Sequence, residues 1–228
     1  MINSEDTNRF FHMLEENIPF SLARFNDGEM MGVKATGSVV ARGDQVVNDS
    51  LRNKLIEAIQ HRQENYWIGK PCSTCFPKHY DLYRTYVPEY NYETYAVQFC
   101  NNGNWDKVIN KLQNIFQERS VYWVSGHDQD IKKLGFYSSI KKHIMHSNRN
   151  GWIDYERVRK LSPIFEDGCV VIISSGPMSR VLAYEWFKEN PNCTFLDVGS
   201  LFDPFTRNVW HNCHKGKLNF CKECNWNS

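Results

Sequence analysis

An α/β domain with a mainly parallel sheet flanked by helices is the fold class this chain predicts, and three observations carry it. Apolar, β-branched runs alternate with amphipathic stretches of helical period along most of the 228 residues. The run Cys169-Val-Val-Ile-Ile173 is continuously apolar, as in a strand buried on both faces. A helical stretch over 177–188 and a second strand-like run over 193–196 follow it, which is the spacing of a βαβ unit.

The other elements follow in chain order. Residues 4–16 predict a helix, with Ser4 as N-cap and Phe10, Phe11 and Leu14 on one face. Residues 20–25 predict a strand, and 47–61 a helix through Leu51, Leu55, Ile56 and Ile59. Tyr66-Trp-Ile68 and 93–99 predict strands, and 105–116 a helix through Trp105, Val108, Ile109 and Leu112. Val121-Tyr-Trp-Val124 predicts a buried strand. Residues 137–163 fit helix and loop equally. The chain beyond Pro204 is polar, rich in His, Cys and Asn, and reads as irregular. With no internal repeat, low-complexity tract or long linker, one domain over 1–228 is expected, with 204–228 as a tail packed on it.

Composition narrows the class. Hydrophobic residues at 41% and charged residues at 23% are a globular balance. A net charge of +1 supplies no general field for nucleic acid. The N-terminus lacks a basic segment leading into an apolar run, and no apolar stretch approaches the roughly 18 residues of a membrane span. A cytoplasmic protein is therefore expected, its oligomeric state left open. The tyrosines between 80 and 95 have amphipathic rings that suit either a sugar site or ordinary packing. The chain has no Gly-x-Gly-x-x-Gly after its first strand, no P-loop and no Gly-x-Ser-x-Gly elbow, which weighs against dinucleotide, P-loop and α/β-hydrolase chemistry.

Two stretches carry chemistry. Phe20-Ser-Leu-Ala-Arg24-Phe-Asn-Asp27-Gly-Glu29 ends a strand-like run in a basic residue and two carboxylates. Ligands of α/β sheets gather at such strand ends. Asp27 and Glu29 are candidate ligands of Mn²⁺ or Mg²⁺, which neutralises a departing diphosphate. Gly28 permits close backbone approach, and Arg24 serves to contact phosphate or to hold a carboxylate. The plain alternative is that Asp27 caps a short helix and Glu29 favours its first turn. Downstream, Ser174-Ser175-Gly176-Pro177 turns from the strongest strand into a helix whose N-terminus suits phosphate, with the serines as donors. Asp197-Val-Gly199 closes the next strand, and Asp203 follows. Either aspartate is a candidate for donor contact or for general base. Asn102 and His127 follow two further strands and are candidate substrate contacts.

These pieces, in this order, resemble the GT-D-type glycosyltransferases. That family has one Rossmann-like domain and an Asp-x-Glu motif. Its N-terminal signature resembles Arg24-Phe-Asn-Asp-Gly-Glu29. Its downstream signature resembles Gly176-Pro177, then Leu182-Ala-Tyr184, then Asp197-Val-Gly199. The matched elements span roughly 20–203. The resemblance implies a nucleotide-sugar donor, UDP-linked, a glycan acceptor, and Mn²⁺ on Asp27 and Glu29. It also implies that Gly176, Pro177 and Asp197 line the donor site. Asn26 departs from the family's usual Gly, which leaves a choice between ordinary backbone and Asn's tolerance of positive φ. The cysteine-rich tail is a second departure.

Eight cysteines in a reducing compartment point to free thiols or metal ligands. Cys72-Ser-Thr-Cys75 and Cys221-Lys-Glu-Cys224 together fit a structural Cys₄ zinc site, with His211, Cys213 and His214 as rival ligands. A redox role is disfavoured on the expectation that neither pair opens a helix after a strand. Taken together, the sequence predicts a metal-dependent glycosyltransferase. The alternatives are a phosphohydrolase or nucleotidyl enzyme on the same carboxylates, or a non-catalytic zinc-stabilised interaction module.

Overall fold

The computed structural model describes residues 3–35, 37–40, 46–97, 99, 105–147, 151–212 and 214–215, with the side chains of 3–5, 39 and 40 excepted. The strands of the main sheet are β1 (Ser21–Arg24), β4 (Tyr66–Lys70), β5 (Glu93–Tyr95), β6 (Val121–Gly126), β7 (Ile140–His146), β8 (Val170–Ser174) and β9 (Thr194–Asp197). They lie in the order β5-β4-β1-β9-β8-β6-β7, every pair parallel. The short β2 (Val39–Val40) and β3 (Val46–Val47) pair antiparallel apart from it.

A parallel sheet needs cover on both faces. One face is covered by α2 (Asp27–Lys34), α3 (Asp49–Gln60), α4 (Pro77–Tyr86), α6 (Tyr155–Arg159) and α7 (Met178–Glu189), which pack on Ala23, Ile68, Val171, Ile173 and Phe195. The other is covered by α1 (Asn3–Glu15), α5 (Trp105–Gln117), 3₁₀ turns between 131 and 139, and α8 (Asp203–Thr206), over Leu22, Trp67, Trp123, Ile172 and Leu196. Alternate residues of each strand thus enter opposite cores, as a period of two demands.

This connectivity makes the site. The chain leaves β1, β4 and β8 toward the first face, through α2, α4 and α7. It leaves β5, β6 and β9 toward the second. β1 and β9 are hydrogen-bonded neighbours whose exits diverge, and such a divergence opens a crevice at the carboxyl ends of the strands.

The elements differ from the sequence reading in several places, among them the unanticipated β2–β3 pair, whose β3 takes Val47 from the helix expected over 47–61. Residues 140–146, which fitted helix or loop, form β7. It is an edge strand bonded only to β6, and it carries exposed Lys141 and Lys142 rather than an apolar run. The strand expected over 93–99 ends at Tyr95, where the Ala96 N–H bonds to Lys70 O and the chain turns away. α4 was not anticipated, because Tyr83 is its single buried residue. The tail begins as the short helix α8, with Pro204 in its first turn. The tyrosines of 80–95 do packing work: Tyr83 Oη donates to Glu93 at 2.6 Å, and Tyr90 Oη bonds to the carbonyls of Gln63 and Tyr66.

Trp123 is the anchor of the second core. It is fully buried, lies edge-on to Phe202, and donates through Nε1 to Gln129. Trp123→Ala is expected to cost about 3–5 kcal/mol, read from the urea midpoint at constant m. A loss below about 1 kcal/mol would show that this core is not packed as described.

Candidate active site

At the end of β9, Asp197 has no solvent exposure. Its Oδ2 accepts from the Arg24 N–H at 3.1 Å and lies 3.0 Å from Arg180 Nε, while Oδ1 accepts from the Gly199 N–H at 3.2 Å. Arg24 Nε is 3.7 Å from the same carboxylate, and Arg24 Nη1 donates to Ala96 O. Arg180 continues outward: Nη1 donates to Gly176 O, and Nη2 is 3.1 Å from Glu29 Oε1. Two arginines and two carboxylates therefore balance one another across the ends of β1 and β9 and the first turns of α2 and α7. Of the two roles read for Arg24, the geometry shows the one that holds a carboxylate.

Gly199 makes this possible. Its φ is +51°, and a Cβ there would collide with Arg24 Nη2. Gly69, paired with Arg24, is as tightly enclosed: a Cβ would meet Ala96 Cα at 3.0 Å.

The two carboxylates of the Asp-x-Glu motif have different surroundings. Glu29 is buried, with Oε1 on Arg180 and Oε2 accepting the Asn26 N–H at 3.2 Å, the return half of a capping box at the N-terminus of α2. Asn26 is extended at φ −120°, so its departure from Gly needs no left-handed backbone. Asp27 is half-buried at the first helical position and has no ion pair or hydrogen bond among the described residues. Beside it, a Cβ on Gly28 would meet nothing within 4 Å. An unpartnered carboxylate next to open space suits a divalent cation that takes its other ligands from phosphate and water. No group of three or more His, Cys, Asp or Glu that could hold a metal ion stands among the described residues.

The β8–α7 turn has Gly176 at φ +55° and Pro177 as N-cap of α7. Ser174 Oγ donates to Gly199 O at 2.8 Å and accepts from Gln129 Nε2 at 2.8 Å. Trp123, Gln129, Ser174 and Gly199 thus form one buried chain that ties β6 and β8 to the Asp197 cluster. Ser175 N–H is taken by Ser179 Oγ, and Ser175 Oγ by His146 Nε2 at 2.9 Å. Burial pushes the imidazoles of His146 and His143 below their ordinary range.

The remaining candidates scatter. Asp203 is buried at the start of α8, bound to Arg207 and to His211. His127 is exposed on the loop after β6. Asn102, Cys213, Cys221 and Cys224 lie outside the described residues. Cys72 and Cys75 occupy the turn between β4 and α4, with the Cys75 N–H on Cys72 Sγ at 3.4 Å. This corrects one expectation: the pair does follow a strand and precede a helix.

No protein-family model matches the chain, and no curated protein matches it by sequence. Solved structures do. The fold is that of domain of unknown function 1792. A selenomethionine-substituted structure of that domain superimposes with a TM-score of 0.70 at 14% identity, over 95% of this chain and 91% of that one. A second, described as showing that this highly conserved domain has a distinct glycosyltransferase fold, gives 0.68 at 13% identity over the same shares. A third, described as a new glycosyltransferase of this domain from Streptococcus sanguinis, gives 0.68 at 17% identity over 88% and 82%. At these identities the likeness is one of fold. It bears out the parallel α/β architecture and, at that level, the GT-D-type resemblance. No helix among the described residues is long and apolar enough to cross a membrane.

Arg180 was missed in the sequence. A signal existed: it stands in the first turn of α7, where the helix dipole disfavours a cation, amid a run buried from Met178 to Phe187. Such an arginine needs a carboxylate partner.

Two outcomes test this geometry. Asp197→Asn leaves two buried arginines short of a counter-charge and should cost about 3–5 kcal/mol in urea unfolding. Asp27→Asn should change stability by less than about 0.5 kcal/mol, and the reverse ranking would disprove the arrangement. Separately, His146 is held neutral in the fold, so its contribution is full above the ordinary histidine range and lost on acidification. Stability should fall as pH drops below about 6.5, and His146→Gln should flatten that slope.

Proposed function

We propose that the protein is a glycosyltransferase that moves a sugar from a nucleoside diphosphate, UDP in the first instance, to a glycan hydroxyl. The observation that carries the reading is Asp27, a carboxylate without a partner among the described residues, at the mouth of the crevice between β1 and β9. Its neighbours Arg24, Glu29, Arg180 and Asp197 compensate one another. The glycosyltransferase fold described for the structural relatives supports the choice of reaction.

Mn²⁺ or Mg²⁺ would supply neutralisation of the departing diphosphate. Asp27 would hold the cation. Glu29 supports it as a second ligand or by fixing the helix end that carries Asp27. The open space beside Gly28 admits the phosphates, and the N-terminus of α7 behind Gly176 and Pro177 adds a favourable dipole. Asp197, fully enclosed, positions Arg24 and Arg180 and is not itself accessible to a donor.

Calorimetric titration of UDP with and without Mn²⁺ tests this. Binding should depend on Mn²⁺ and weaken by about 10-fold or more in Asp27→Ala, with unfolding unchanged. Glu29→Ala should weaken binding and also lower stability, because Arg180 loses a partner. A folded wild-type protein that does not bind UDP would refute the UDP-sugar reading.

A further inference from the structure

Beyond β9 the chain builds a loop around one buried carboxylate. Asp203 Oδ1 accepts from Arg207 Nη1 at 3.2 Å, and Oδ2 lies 2.8 Å from His211 Nε2. Its carbonyl accepts the N–H groups of Arg207 and Val209. Asn208 takes φ +57°, which turns residues 209–211 back over Asp203. The outer faces of this loop are open: the His211 side chain is 44% exposed and Trp210 is 47% exposed. Both are nonetheless fixed. Trp210 packs on the buried Trp105 at 5.3 Å between centroids, and the His211 N–H bonds to His214 Nδ1 at 3.1 Å.

With Nε2 directed at the Asp203 carboxylate, Nδ1 is the ring nitrogen left with no hydrogen bond among the described residues. An oriented imidazole edge therefore stands next to a half-exposed indole held by Trp105. Arg207, the cation beside them, is taken by Asp203 and by Asp128 at 2.8 Å, so the spot is not built for an anion. The loop starts four residues past Gly199, the glycine packed on Arg24, and α8 is tied to the loop after β6 by the Asp130 N–H on Thr206 O. It therefore lies at the same carboxyl edge of the sheet as the crevice.

We propose that Trp210 and His211 form the acceptor subsite, for a neutral pyranoside. An apolar sugar face stacks on the indole, and a hydroxyl at the ring edge, which can donate or accept, hydrogen-bonds to His211 Nδ1. An indole presents an apolar face of the size of a pyranose, and a preset polar partner costs little ordering on binding. As an acceptor site it rests on the transferase reading above.

The test titrates the full chain, with and without UDP and Mn²⁺, with the methyl glycosides of glucose, galactose and N-acetylglucosamine, followed by tryptophan fluorescence and saturation-transfer NMR. Saturable binding near the millimolar range is expected for at least one glycoside. Trp210→Ala should weaken it about tenfold, and Trp210→Phe, which keeps an aromatic face, by no more than about threefold. His211→Ala, which removes the ring nitrogen, should likewise weaken binding. Absence of saturable binding in folded wild type, or Trp210→Ala binding like wild type, would overturn the subsite. UDP binding without glycoside binding would sink the subsite and leave the donor reading standing. Glycoside binding without UDP binding would sink the transferase reading and keep a saccharide site.

Discussion

A carboxylate with no contact with water is among the costliest groups a protein can bury, and Asp197 is one. It persists because everything that surrounds it is aimed at it. Arg24 comes from the neighbouring strand, Arg180 from the helix after the strand on the other side, and the Gly199 N–H from its own turn. The ends of β1, β8 and β9 are thus held in register by charge as well as by the ladder. Because Arg180 also reaches Glu29, the start of α2 is fixed by the same cluster. The position of Asp27, and with it the proposed cation site, is set by charges that need not touch a ligand.

The sheet topology explains why this cluster sits where it does. β1 and β9 send their chains to opposite faces, so among the described residues neither exit carries a helix across the seam between them. The seam is lined instead by first turns of helices, whose free N–H groups favour negative charge. The buried chain from Trp123 through Gln129 and Ser174 to Gly199 extends the same rigidity across to β6. The Asp203 loop is tied at its start to that same half, through the Asp130 N–H on Thr206 O.

What the sequence made legible follows from where each signal originates. β8 was readable because both its faces are buried and its residues had to be apolar. β7 was not, since an edge strand with one neighbour carries lysines without penalty. α4 was not, because a helix that buries one tyrosine leaves no stripe. The Arg-x-x-Asp-x-Glu and Gly-Pro motifs were readable as local patterns. Their connection was not, for Arg180 gains its meaning from Glu29 and Asp197, which only the fold brings to it. The Asp203–His211 pair is local, yet a tail rich in His and Cys drew the reading toward zinc.

The motif itself shows how local geometry divides two similar residues. Read along a loop, Asp27 and Glu29 look like a pair that shares one cation. On a helix, residues two apart point in widely different directions and do not face each other. At the first and third helical positions their fates separate further. The third is the capping-box position, where a glutamate returns to the N-cap N–H, and Glu29 does so while it also holds Arg180. The first has no backbone donor to return to, and Asp27 stays unpaired among the described residues. A cation at the proposed site would find one uncommitted carboxylate among the described residues and a glutamate already engaged by Arg180, so most of its positions would fall to oxygens of diphosphate and water. Affinity for the metal alone should accordingly be weak, and metal and nucleotide should each strengthen the other's binding.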